Sequence, residues 1–98
     1  MKGILIEPGK APVVTTLPDT LQGIEAMLGC DCTQKVLPRT PAVLVYGLLG
    51  KGLNRIYRGQ NIYGTILCYG WKNNSLVPMS KDLQAEMLDR LKETKVRV

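Results

Sequence analysis

The chain of 98 residues contains no histidine and no phenylalanine. Without histidine it lacks the side chain that most often serves as a general acid or base near neutral pH. From Cys32 to Lys81 it also contains neither aspartate nor glutamate. Half of the sequence is therefore without the carboxylates that most hydrolytic and metal-dependent chemistry requires. Aromatics are scarce, with four tyrosines and one tryptophan, so the core must be aliphatic and its few rings carry polar tips that need partners or water. No apolar run approaches the ~20 residues of a membrane span. The opening stretch is broken by Pro8-Gly9, short of the roughly 7–15 apolar residues of a secretory signal. The expectation is a cytoplasmic, unprocessed chain with no membrane association.

Three cysteines make an odd count, and Cys30 and Cys32 stand too close together for an unstrained bridge. With Cys68 they supply three thiolates, but no fourth cysteine or histidine completes a closed zinc site. All three are expected to be reduced, with no metal and no cofactor. Ser75, Ser80 and Cys32 lie in no nucleophile motif. A non-enzymatic protein is expected.

What the chain does contain is segregated charge. Lys35, Arg39, Lys51, Arg55, Arg58, Lys72 and Lys81 fall inside the acid-free window, while all eight carboxylates lie outside it. The net charge of +5 is concentrated in the middle of the sequence. A one-signed region attracts anions over about 8–10 Å at physiological salt.

Length and pattern indicate a single domain over residues 1–98. Residues 3–7 predict a buried strand, and residues 12–16 an edge strand beside it. Thr16 or Asp19 is the expected cap of a first helix whose apolar face is Leu17, Leu21, Ile24 and Leu28, ended by Gly29. Extended segments are expected at residues 30–37, 42–46 and 62–69, the last with a bulge at Gly64. Residues 53–57 remain ambiguous, and residues 71–75 form a polar turn. Ser80 caps a second helix with a stripe of Leu83, Met87, Leu88 and Leu91. The order implies an α+β fold: a small, mainly antiparallel sheet covered by two helices on one face.

Two adjoining segments carry the candidate site. Gly47-Leu48-Leu49-Gly50-Lys51-Gly52 offers backbone N–H groups that could converge on an anion. It misses the phosphate-loop pattern, because Lys51 precedes Gly52 and no Ser or Thr follows, and three glycines also suit a plain tight turn. Residues 54–63 then bring together arginines, tyrosines and amides. Guanidinium forks suit phosphate, phenol rings can stack, and amides can read a base edge. Lys51, Asn54, Arg55, Tyr57, Arg58 and Tyr63 are the expected ligand- or partner-binding residues, led by Arg55. The rival expectation ties Arg55 to Glu7, Asp19 or Glu25 as an internal ion pair.

The segments Ile4-Leu5-Ile6-Glu7-Pro8-Gly9-Lys10 with Pro12, Val43-Leu44-Val45, Gly50-Lys51-Gly52-Leu53 with Asn54-Arg55, and Tyr63-Gly64-Thr65-Ile66-Leu67, followed by an amphipathic helix, give the chain a family likeness. It resembles the domain of unknown function 3846 family of small phage, plasmid and bacterial proteins over nearly its whole length. Family members commonly carry an acidic middle, where this chain is neutral to basic. The resemblance brings no activity, cofactor or catalytic residue. It implies a mobile-element setting in a bacterial host cell. There, a small protein would bind an anionic partner (an acidic protein surface, a nucleotide or a nucleic acid), inhibiting a host defence factor or sequestering a nucleotide. A nucleic-acid-binding regulator of the element is the alternative, and homo-oligomerisation is left open.

Overall fold

The computed structural model describes residues 1–96. Strands β1 (Lys2–Ile6), β2 (Val13–Thr16), β3 (Cys32–Val36) and β4 (Ala42–Gly47) precede a hairpin of β5 (Leu53–Tyr57) and β6 (Gln60–Tyr63). Strands β7 (Ile66–Lys72) and β8 (Ser75–Val77) follow it, and helices α1 (Leu21–Leu28) and α2 (Lys81–Leu91) complete the set. The main sheet runs β2–β1–β7–β4–β3 with β8 also paired to β7, every pairing antiparallel. The fold is α+β. No helix among the described residues is long and apolar enough to cross a membrane.

The central strands explain the layering. Ala42, Val43, Leu44 and Val45 of β4 are all buried, as are Ile66, Leu67, Cys68 and Tyr69 of β7. Successive strand side chains point to opposite faces, so an unbroken buried run needs cover on both sides. Val43, Val45, Leu67 and Tyr69 pack with Leu17 and with Ile24 of α1. Ala42, Leu44, Ile66 and Cys68 instead join Ile4 and Ile6, Met87 and Leu91 of α2, and Tyr57 and Ile62 of the β5–β6 hairpin. The helices thus cover opposite faces, which corrects the expectation of a single covered face. The hairpin lies beside α2 as part of the second cover. Its strand β5 is held from outside by the segment after α2, where the Ile56 N–H donates to the Thr94 carbonyl at 2.6 Å and Val96 donates back to Ile56 at 2.8 Å.

Helix α1 begins later than its apolar spacing suggests. Leu17 still belongs to the strand ladder, its N–H donating to the Met1 carbonyl at 2.7 Å. The cap is Thr20, whose hydroxyl accepts from the Gly23 N–H at 3.1 Å, and not Thr16 or Asp19. Leu21 consequently points outward, 63% exposed, while Ile24 is buried. Gly29 ends the helix in the left-handed region at φ 77°, as expected. The stretch 62–69 is two strands belonging to different sheets, not one bulged strand, and Gly64 (φ 78°) lies in the turn between them. Residues Trp71 and Lys72 extend β7 into a further hairpin closed by Asn73-Asn74. Ser80 caps α2 through the Leu83 N–H at 3.2 Å. Met87 and Leu91 of its stripe are fully buried, while Leu83 and Leu88 pack half-buried at the margin.

Candidate functional site

The hairpin turns the expected site inside out at its centre. Asn54 is 1% and Arg55 3% exposed. The Arg55 Nε donates to the Leu91 carbonyl at 2.7 Å, and Nη1 donates to the Asn54 carbonyl at 2.8 Å and to Asn54 Oδ1 at 2.9 Å. A longer contact of 3.4 Å joins Nη2 to the Lys10 carbonyl. Asn54 Nδ2 in turn donates to the carbonyls of Ile6 at 2.9 Å and Gly64 at 2.7 Å. Burial lowers the Arg55 pKa from its ordinary value, yet a guanidinium stays charged in a protein. Its partners are oxygens with partial negative charge, chief among them the carbonyl end of α2, where the helix dipole favours a cation. Both sequence expectations for Arg55 are thereby corrected: its hydrogen bonds go to backbone carbonyls and to Asn54, without a carboxylate, and it is not on the surface. Asn54 is interior for the same reason. The two link β1, the β6–β7 turn, the β1–β2 turn and the end of α2.

The glycine-rich segment is accounted for by a backbone crossing. A side chain at Gly50 would collide with the Tyr63 carbonyl, and one at Gly64 would come within 2.8 Å of the Gly50 α-carbon. The Gly64 N–H donates to the Gly52 carbonyl at 2.8 Å across this crossing. Lys51 and Tyr63 are exposed at this end of the hairpin, where Leu53 pairs with Tyr63. Arg58 is exposed at the other end, beyond the Tyr57–Gln60 pair, roughly 13 Å away at the usual rise of a strand. The six expected residues therefore form no single connected surface.

The fold gathers a different set of cations instead. A cleft of about 500 Å³ is lined by Pro38, Arg39, Thr40, Tyr57, Arg58 and Arg90, and among the described residues its wall carries three guanidinium groups and no carboxylate. Arg90 is held in place by Thr40, whose Oγ1 accepts from Nη1 at 2.8 Å, and by Glu86 at 3.9 Å. Tyr57 lines the cleft although it is only 3% exposed. The Lys35 ammonium lies 5.4 Å from the centre of its ring, which adds a fourth positive charge nearby. Among the described residues, none of the seven cations of the acid-free window makes an ion pair; the acids pair with Lys10, Arg90 and Lys92.

Two of the cleft arginines stand where backbone chemistry disfavours them. Arg58 (φ 50°) and Gly59 (φ 80°) form the two-residue loop of the β5–β6 hairpin, a geometry with positive φ at both positions that favours Asn-Gly. The β7–β8 hairpin of the same chain has that kind of loop, with asparagine at both positions, Asn73 (φ 52°) and Asn74 (φ 59°). Arg39 is likewise left-handed, at φ 60°, in the β3–β4 turn. Such a conformation costs a non-glycine residue on the order of 1 kcal/mol and clusters where a side chain has a task. Of this set, sequence reasoning selected Arg58 and Tyr57. Arg39 was signalled only by its place in the acid-free window, and Arg90, flanked by acids in α2, by nothing local.

No curated protein and no solved structure matches the chain. The family model described as Domain of unknown function (DUF3846) matches residues 1–92, and the chain belongs to that family.

Proposed function

We propose that this chain is a small non-enzymatic binding protein that takes an anionic partner in the cleft of Arg39, Arg58 and Arg90. The observation that carries the reading is three guanidinium groups around one concavity with no acid among its described lining residues. Two of them occupy strained left-handed positions. Guanidinium holds phosphate or carboxylate through paired hydrogen bonds, which a surface lysine does not. The cleft volume falls within the usual range of about 300–1,000 Å³ for small-ligand sites. Among the described residues the lining offers no carboxylate, thiol or imidazole. Cys68 lies in the opposite situation, fully buried in the core with its thiol pushed up to about 12 by burial. In a mobile-element setting such a protein would act by sequestering its partner or by occupying a host factor.

The test is calorimetric titration of inorganic pyrophosphate into the protein and into the double variant Arg39→Asn/Arg58→Asn. Asparagine suits both backbone positions, so the variant should fold at least as well as the parent. The expected result is binding that weakens with salt and drops at least tenfold in the variant. Equal affinity in the two proteins would remove the cleft from consideration. Far tighter, steeply salt-dependent binding of duplex or single-stranded nucleic acid than of any small anion would favour the regulator reading.

A further inference from the structure

The basic cleft has an uncharged neighbour on the other side of the β5–β6 turn. A cavity of about 380 Å³ runs along β6, all four of whose residues line it, against Thr33 and Tyr46 of the main sheet. The two concavities are lined by residues on either side of the turn. Tyr57 and Arg58 belong to one and Gln60 and Asn61 to the other, and Tyr57 and Gln60 are direct cross-strand partners. Strand β3 passes beside both. Thr33 lines the uncharged cavity, and Lys35, two residues on and therefore on the same face, reaches the Tyr57 ring at 5.4 Å. Taken together along β3, the two concavities give a groove with a cationic end, Tyr57 and Lys35 between, and a neutral end.

The neutral end has a specific chemistry. Gln60 Nε2 donates to the Tyr46 hydroxyl at 3.3 Å, and Asn61 Nδ2 donates to the Tyr63 hydroxyl at 3.3 Å. Both bonds are long, exposed and easily exchanged. Each carboxamide keeps its carbonyl oxygen and a second N–H uncommitted among the described residues. A carboxamide presents a donor and an acceptor side by side, matching the hydrogen-bonding edge of a nucleobase, and phenol rings give a base a surface to stack on. Among the described residues, no ionised side chain lines this cavity, so it suits a planar, neutral, polar group.

We propose that the groove takes a nucleoside phosphate, with its phosphates among Arg39, Arg58 and Arg90 and its base against Gln60, Asn61, Tyr46 and Tyr63. This inference rests on the anion-binding reading of the cleft and adds the class of ligand. A bare polyphosphate would leave the neutral end unfilled. A sugar phosphate would place rotating hydroxyl groups where a carboxamide offers a donor and an acceptor side by side.

The experiment compares inorganic pyrophosphate, ribose 5-phosphate and the nucleoside 5′-diphosphates of the four bases by calorimetry, on the parent protein, Gln60→Ala, Asn61→Ala and Arg58→Asn. Gln60 and Asn61 are exposed, so their variants retain the fold, which circular dichroism verifies. The expected result is that at least one nucleoside diphosphate binds tenfold or more tightly than pyrophosphate. Gln60→Ala and Asn61→Ala should erase that advantage while leaving pyrophosphate affinity unchanged, and Arg58→Asn should lower both. If pyrophosphate binds and no base improves on it, the nucleotide assignment falls while the anion cleft stands. Ribose 5-phosphate binding tenfold tighter than every nucleoside diphosphate also overturns it. Absence of binding by any probe overturns the cleft reading as well.

Discussion

The Nε of Arg55 donates to the carbonyl of Leu91, the last residue of α2, at 2.7 Å. One hydrogen bond thus ties the edge of a hairpin to the end of a helix 36 residues away, with the charged donor placed at the negative end of the helix dipole. The same guanidinium holds Asn54 and reaches toward Lys10. Arg55 is a fastener of the fold.

Arg55→Ala should lower stability by roughly 3 kcal/mol or more, because it leaves buried carbonyls of Leu91 and Asn54 without a donor. Arg55→Lys should fall between, since an ammonium cannot serve these acceptors with a planar fork. Chemical denaturation measures both. Anion affinity of the folded fraction should be unchanged, and a selective loss of affinity at parental stability would restore Arg55 to the site.

How far the sequence could be read follows from where its signals were local. The final helix was legible because Ser80, Asp82 and the stripe through Met87 and Leu91 sit within one element and agree with the structure. The Gly29 terminator was legible for the same reason. Leu17 and Leu21 misled because helical spacing does not reveal that Leu17 is still paired to Met1. The layering was misjudged although the sign was present: Ala42-Val43-Leu44-Val45 does not alternate, and a strand apolar on both sides requires two covers. The acid-free window pointed to an anion-facing surface but could not say which arginines face out. Arg55 and Arg58 are three residues apart, yet one is buried under α2 and the other sits on a hairpin tip. Arg39 and Arg90 come together through the pairing of β3 with β4 and the docking of α2, which no local pattern encodes.

Arg58→Asn should raise stability by about 0.5–1 kcal/mol, because asparagine tolerates the left-handed backbone of this loop better than arginine does. For a domain of this size that corresponds to a rise of a few degrees in melting temperature. A fall in melting temperature would mean that the Arg58 side chain stabilises the fold.

Gly50→Ala and Gly64→Ala should each destabilise by about 1–3 kcal/mol. The first drives a methyl group into the Tyr63 carbonyl, and the second adds left-handed strain (φ 78°) to a 2.8 Å approach to Gly50. Urea midpoints provide the measurement, and Gly9→Ala is the control. Gly9 is also left-handed but has nothing near its side-chain direction, so it reports the backbone cost alone.

Stability should fall at alkaline pH. Burial pushes the Cys68 thiol from 9.0 up to about 12, and burial with the nearby Asp19 and Cys32 pushes the Tyr69 phenol from 10.0 to about 12. The neutral Tyr69 hydroxyl also donates to the Pro18 carbonyl at 2.6 Å. Both groups keep their protons longer folded than unfolded, so above about pH 9 the unfolded chain binds fewer protons and stability declines with pH until both folded groups titrate. Cys68→Ala/Tyr69→Phe should flatten that decline between pH 9 and 12, as followed by denaturation midpoints.

The most direct measurement is a ¹⁵N nuclear magnetic resonance titration of the parent protein with inorganic pyrophosphate, following backbone amides and arginine Nε signals together. The account predicts that shifts concentrate on Arg39, Thr40, Tyr57, Arg58 and Arg90, with Lys51 and the Arg55 Nε unmoved. Shifts centred on Lys51 and the glycine-rich segment, or no shifts at millimolar pyrophosphate, would contradict it.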